Sequence, residues 1–73
     1  MENNLVKLTE YRIVDFLRHN PTHGIKVSGL HRKLRFSYEQ LNPALDNLVM
    51  RGIIKRDKKY YRPDNLSAYH AMH

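Results

Sequence analysis

The chain has 73 residues, no cysteine and no tryptophan, and carries 13 Lys and Arg against 7 Asp and Glu, a formal charge of +6. That length allows one compact domain, residues 1–73, which buries only about 60% of the surface its unfolded chain exposes. Disulfides and thiolate metal sites are excluded, as fits a reducing compartment. The opening "MENNLVKLTEYR" has neither the basic nor the apolar region of a secretory signal, and no stretch approaches the roughly 20 apolar residues of a bilayer span. A soluble cytoplasmic domain is expected.

Charge is concentrated. Residues 31–35 hold Arg32, Lys33 and Arg35 without an acid; residues 51–62 hold Arg51, Lys55, Arg56, Lys58, Lys59 and Arg62 against Asp57. These segments carry +3 and +5, so the remainder is −2. Such clustering suits a surface that meets phosphates, with a solvated, solubilising face as the bland alternative.

In chain order, "TEYRIVDFLRHN" (9–20) predicts a first helix, with Thr9 as cap and Glu10 favoured by the helix dipole. Ile13, Val14 and Leu17 follow helical spacing, Phe16 lies at the stripe's edge, and Asn20-Pro21 ends the element. Leu5 and Leu8 fall off this stripe and serve either the domain or a partner chain. "PTHG" reads as a turn, and "IKV" (25–27) suits a single bridging pair. Ser28 is the expected cap of a second helix, 29–35, with Leu30 and Leu34 inward and His31, Arg32, Lys33 and Arg35 outward.

Phe36 then plugs the turn, and Ser37 caps a third helix whose Leu41, Ala44, Leu45 and Leu48 form one buried stripe. Pro43 conflicts with that cap, because an interior proline costs about 3 kcal/mol. Either Ser37 caps and the helix kinks, or Asn42 caps and Pro43 becomes the first helical residue. A kinked or two-part helix is preferred. Gly52 stops it, and "IIKR" and "YYR" around Asp57-Lys58-Lys59 form a short hairpin without a turn signature. The tail, 63–73, reads as a short helix capped by Asp64, with Leu66, Tyr69 and Met72 on one side.

The order helix, short strand, helix, tight turn, helix, hairpin resembles the winged helix-turn-helix superfamily, with no subfamily selected. The matching residues are Leu30, Leu34, Phe36-Ser37, Leu41, Leu45, Leu48, Gly52 and Ile53-Ile54, within a core of about 9–62. The resemblance implies a mainly α fold, a three-helix core plus a short β-hairpin wing. It further implies a third helix presented to the DNA major groove and a wing on the backbone. Groove-facing positions would be Tyr38, Glu39, Asn42, Pro43 and Asp46, none basic. Asn42 suits adenine, Glu39 suits cytosine N4, and Tyr38 suits a phosphate or a stacked base. Asp46 offers repulsion unless neutralised.

The expected DNA-binding set is therefore Arg32, Lys33, Arg35, Ser37, Tyr38, Glu39, Asn42, Lys55, Arg56, Lys58, Lys59 and Arg62. The implied function is that of a small transcriptional regulator of phage or plasmid type, nucleoid-associated, a homodimer through Leu5/Leu8 or the tail. Two rivals stand beside it. One is a protein–protein adaptor docking through Glu39, Pro43, Asp46 and Met50; the other is an architectural factor in replication or recombination. The Z-DNA-binding relatives are set aside, because they pair their asparagine with a tyrosine where this chain has Asp46 and carry a tryptophan in the wing. His70 and His73 are spaced for a shared metal but lack further ligands, and His19 and His23 read as loop residues. Without a phosphate loop or a nucleophile–base pair, no enzyme activity, cofactor or metal is expected.

Overall fold

A computed structural model of the chain describes residues 4–20 and 23–69. Three helices, α1 (Asn4–His19), α2 (Val27–Leu34) and α3 (Tyr38–Met50), pack on a small antiparallel sheet of β1 (Ile25–Lys26), β2 (Ile54–Asp57) and β3 (Tyr60–Pro63). The sheet order is β1-β3-β2. A single 3-10 turn, Leu66–Ala68, follows. Ile13, Val14 and Leu17 of α1, Leu30 of α2, and Leu41, Ala44, Leu45 and Leu48 of α3 meet Ile53, Ile54, Tyr61 and Tyr69 in one core. Phe16, Leu34 and Phe36 pack on its edge, in the places their spacing predicts.

α1 begins five residues before the predicted cap. Thr9 lies buried inside the helix, where its hydroxyl donates to the Leu5 carbonyl (2.7 Å) and so needs no outside partner. Leu5 and Leu8 occupy the added turns, both about half exposed. α2 also starts early. β1 pairs Ile25 with Tyr61 and Lys26 with Tyr60, and the chain turns helical directly at Val27. Lys26 therefore holds the cap position with no side-chain hydrogen bond, and Ser28 falls inside the first turn. Strand pairing, not capping chemistry, sets this boundary. Gly24 is required by the same packing: a Cβ there would stand 2.8 Å from Tyr60 Cβ.

α3 obeys its local signals. The Ser37 hydroxyl accepts from Gln40 N (3.2 Å) and the Gln40 side chain accepts from Ser37 N (3.0 Å), a complete capping box. Asn42 is not a cap, and the two-part reading is overturned, since one continuous helix passes through Pro43. The proline removes the donor to the Glu39 carbonyl, but both residues are exposed, so water can take that acceptor. At the other end Gly52 N bonds Val49 O (3.0 Å) and Ile53 N bonds Leu48 O (3.0 Å), with Gly52 at φ 75°. That is a Schellman stop, and it buries Ile53 against the core.

β2 and β3 are joined by the two-residue loop Lys58-Lys59, closed by Asp57 opposite Tyr60. Of β2 only Ile54 is buried, so Lys55, Arg56 and Asp57 stand clear of the core. The predicted tail helix reduces to the 3-10 turn, preceded by Asn65, and Asp64 caps nothing. Its backbone is tied down instead: Asp64 N and Asn65 N bond to Ile53 O, and Arg18 donates to the Leu66 carbonyl. Tyr69 is thereby drawn into the core; Met72 lies outside the described residues.

Candidate functional site

The exposed strip of α3 separates two polar clusters of opposite character. Toward the hairpin, a cleft of about 510 Å³ gathers Asn42, Asp46, Arg56 and Lys59 with Lys26 and Ser28. β1 carries Lys26 there by pairing with β3, and its ammonium lies 5.6 Å from the centre of the Tyr60 ring. Arg56 is aimed by two contacts: its Nε donates to the Lys58 carbonyl (3.0 Å), and its guanidinium lies 5.7 Å from the Tyr61 ring centre. Asp46 is exposed and forms no ion pair among the described residues. It thus faces three cations at long range, which offsets the repulsion its carboxylate would present to a phosphate.

The other predicted residues border this cleft or lie apart from it. Arg32 and Lys33 on α2, and Lys55, Lys58 and Lys59 on the hairpin, are exposed cations without a side-chain partner among the described residues. Arg62 is the exception, paired with Asp57 at 3.5 Å. Arg35 ends α2 in the left-handed conformation. The Ser37 hydroxyl is committed to its capping box, and Glu39 is exposed in the first turn of α3. Tyr38 is stacked on His31, ring centres 4.5 Å apart and planes 18° from parallel. His31 is itself held by donating Nδ1–H to the Phe36 carbonyl (2.7 Å), which fixes its tautomer.

Toward α1 the polar groups are satisfied. Glu10, only 5% exposed, accepts from Asn47 Nδ2 (3.1 Å) and from the Arg51 guanidinium (3.3 Å). Arg51 in turn lies 5.3 Å from the Tyr69 ring centre. Burial, and secondly the Glu10 carboxylate, push the Tyr69 hydroxyl above its usual pKa. The groove above this cluster is lined by Val6, Lys7 and Met50, the last 84% exposed.

Lys26, Ser28 and Glu10 were not anticipated as members of these clusters. Lys26 becomes visible only through the β1–β3 register. Glu10 was legible in principle, because it shares the stripe of Ile13, Val14 and Leu17 once α1 is allowed to start at Asn4. A carboxylate on such a stripe needs a partner, and Arg51 supplies it.

His19 donates Nδ1–H to the Asp15 carbonyl (2.9 Å), His23 is exposed, and His70 and His73 lie outside the described residues. Among the described residues no three metal-ligating side chains cluster, and no helix is long and apolar enough to cross a membrane. Comparison with family models, curated proteins and solved structures returns no match.

Proposed function

We propose that this chain is a winged helix-turn-helix protein that binds double-stranded DNA as a small transcriptional regulator. On this reading α3 enters the major groove and the β2–β3 hairpin lies on the flanking backbone. The order α1-β1-α2-α3-β2-β3 and the sheet order β1-β3-β2 support it. The observation that carries it is the set of unpartnered cations on α2 and the hairpin, the elements packed beside α3. Inside a protein such charges gain nothing from one another; against phosphates each releases a counterion. Asn42, exposed in the cleft, is the candidate reader of adenine, and Glu39, exposed in the first turn of α3, is the candidate acceptor from cytosine N4. A homodimer through the exposed Leu5 and Leu8 would supply the second half-site.

A backbone amide NMR titration with a mixed-sequence duplex, at low and then moderate salt, tests the reading. Shifts at residues 31–43 and 55–62 that shrink as salt rises are expected. No shift at low salt would sink it. The adaptor reading would then lead, since the exposed Met50 and its groove beside α1 offer a protein partner an apolar foothold.

A further inference from the structure

Two exposed aromatic rings border the hairpin-side cleft, and each is held by a partner within the chain. Tyr38, 43% exposed, stacks on His31 with ring centres 4.5 Å apart and planes 18° from parallel. His31 is itself pinned through Nδ1 to the Phe36 carbonyl (2.7 Å), so the stack has a fixed base. Tyr60, 44% exposed, pairs with Lys26 across the β1–β3 ladder and has the Lys26 ammonium 5.6 Å from its ring centre. Tyr11 is the contrast: it is exposed on α1, outside the cleft lining, and makes no ring contact among the described residues.

The cleft adjoins both rings. Tyr38, Asn42 and Asp46 are spaced i, i+4, i+8, so they form one row along α3 with steps of about 6 Å. Asn42 and Asp46 line the cleft, and Lys26 lines it from the side of Tyr60. A base in a duplex has its faces covered by neighbouring pairs and its Watson–Crick edge occupied. An unpaired base offers both. Its face stacks on an aromatic side chain whatever the sequence, and its edge exchanges hydrogen bonds with amides and carboxylates. This cleft supplies rings for the faces, Asn42 and Asp46 for the edges, and Lys26 for the backbone between them. The Asp46 carboxylate, which repels the phosphates of a duplex groove, suits the N–H groups of an unpaired guanine or cytosine.

We propose that this face also binds single-stranded DNA, with Tyr38 and Tyr60 as stacking platforms for unpaired bases and the Asn42–Asp46 row contacting base edges. The proposal rests on the nucleic-acid reading of this face and goes beyond its duplex form. A purely electrostatic surface needs only phosphates; a stacking surface needs the rings.

The test uses a mixed-sequence single strand of about 12 nucleotides and its duplex, with binding followed by fluorescence anisotropy at moderate salt. The chain has five tyrosines and no tryptophan, so its intrinsic emission reports tyrosine stacking directly. The single strand should quench that emission. Tyr38→Leu and Tyr60→Leu should each weaken single-strand binding about 10-fold and duplex binding by less than about 2-fold. Tyr11→Leu should change neither. Tyr38→Phe and Tyr60→Phe should keep single-strand binding, which separates stacking from a hydroxyl–phosphate contact, and circular dichroism checks that each variant folds. Duplex binding without single-strand binding would overturn the proposal and leave the duplex reading standing. Single-strand binding without quenching, or unchanged by either leucine variant, would overturn it too. Quenching and ring-dependent binding of the single strand alone would uphold it while the duplex reading falls. Binding of neither strand form would overturn both.

Discussion

The two sides of α3 handle polar groups in opposite ways. On the α1 side Glu10 is buried and bonded to Asn47 and Arg51, with Tyr69 beneath the guanidinium. On the hairpin side the side chains of Asn42 and Asp46 are exposed and bonded to none of the described residues, beside Lys59, which is likewise free, and beside Lys26 and Arg56, which lie over the Tyr60 and Tyr61 rings. A buried charge must be paired because desolvation is costly, so the first cluster belongs to the fold. An open polar cluster is stabilised by water alone and can exchange that water for a ligand. The contrast separates residues that hold α3 in place from residues that α3 presents.

The largest expected effect breaks the closed side. Glu10→Ala should cost about 2 kcal/mol, because it removes the charge-assisted hydrogen bonds to Asn47 and Arg51 and opens the α1–α3 contact. Glu10→Gln, which keeps the side chain's volume and one acceptor, should cost about half as much; urea titration reads both. If Glu10→Ala is neutral, the cluster is not holding the helices. Next, Pro43→Ala should raise stability by about 1 kcal/mol, since it restores the donor to the exposed Glu39 carbonyl and improves helix propensity. Loss of stability would show that the proline shapes the helix in a way the cores on both sides need. Smallest is the effect of Asn42→Ala or Asp46→Asn on folding, within about 0.5 kcal/mol. On DNA the same changes should act strongly and differently: Asp46→Asn should tighten binding to all duplexes, whereas Asn42→Ala should lower discrimination between sequences more than affinity.

The comparison also shows why some of the site was legible early and some was not. Asn42 was expected at the site and does line the cleft beside Asp46, because α3 has a strong apolar stripe that dictates which of its residues face outward, and Arg56 and Lys59 join it from the hairpin. Lys26 joined them through pairing with a strand 34 positions further along, from Lys26 to Tyr60. No local pattern reports such a pairing. Ser28 drew the capping role by residue type, yet β1 had already placed the extended residue at Lys26.

What the sequence determined by itself is therefore the set of features that close within about four residues. The Ser37–Gln40 capping box, the Leu41, Ala44, Leu45 and Leu48 stripe and the Gly52 stop all appear where local chemistry requires them. The tertiary structure decided the rest. It extended α1 back to Asn4, converted Glu10 from a helix-dipole residue into the partner of Arg51 some 41 positions away, and drew the tail onto α1 through Arg18. It also kept α3 continuous through Pro43, although local rules favour a break there. The reason is physical: capping and stripe energies depend on neighbours along the chain, while burial and charge pairing depend on whichever distant residue folding brings into contact.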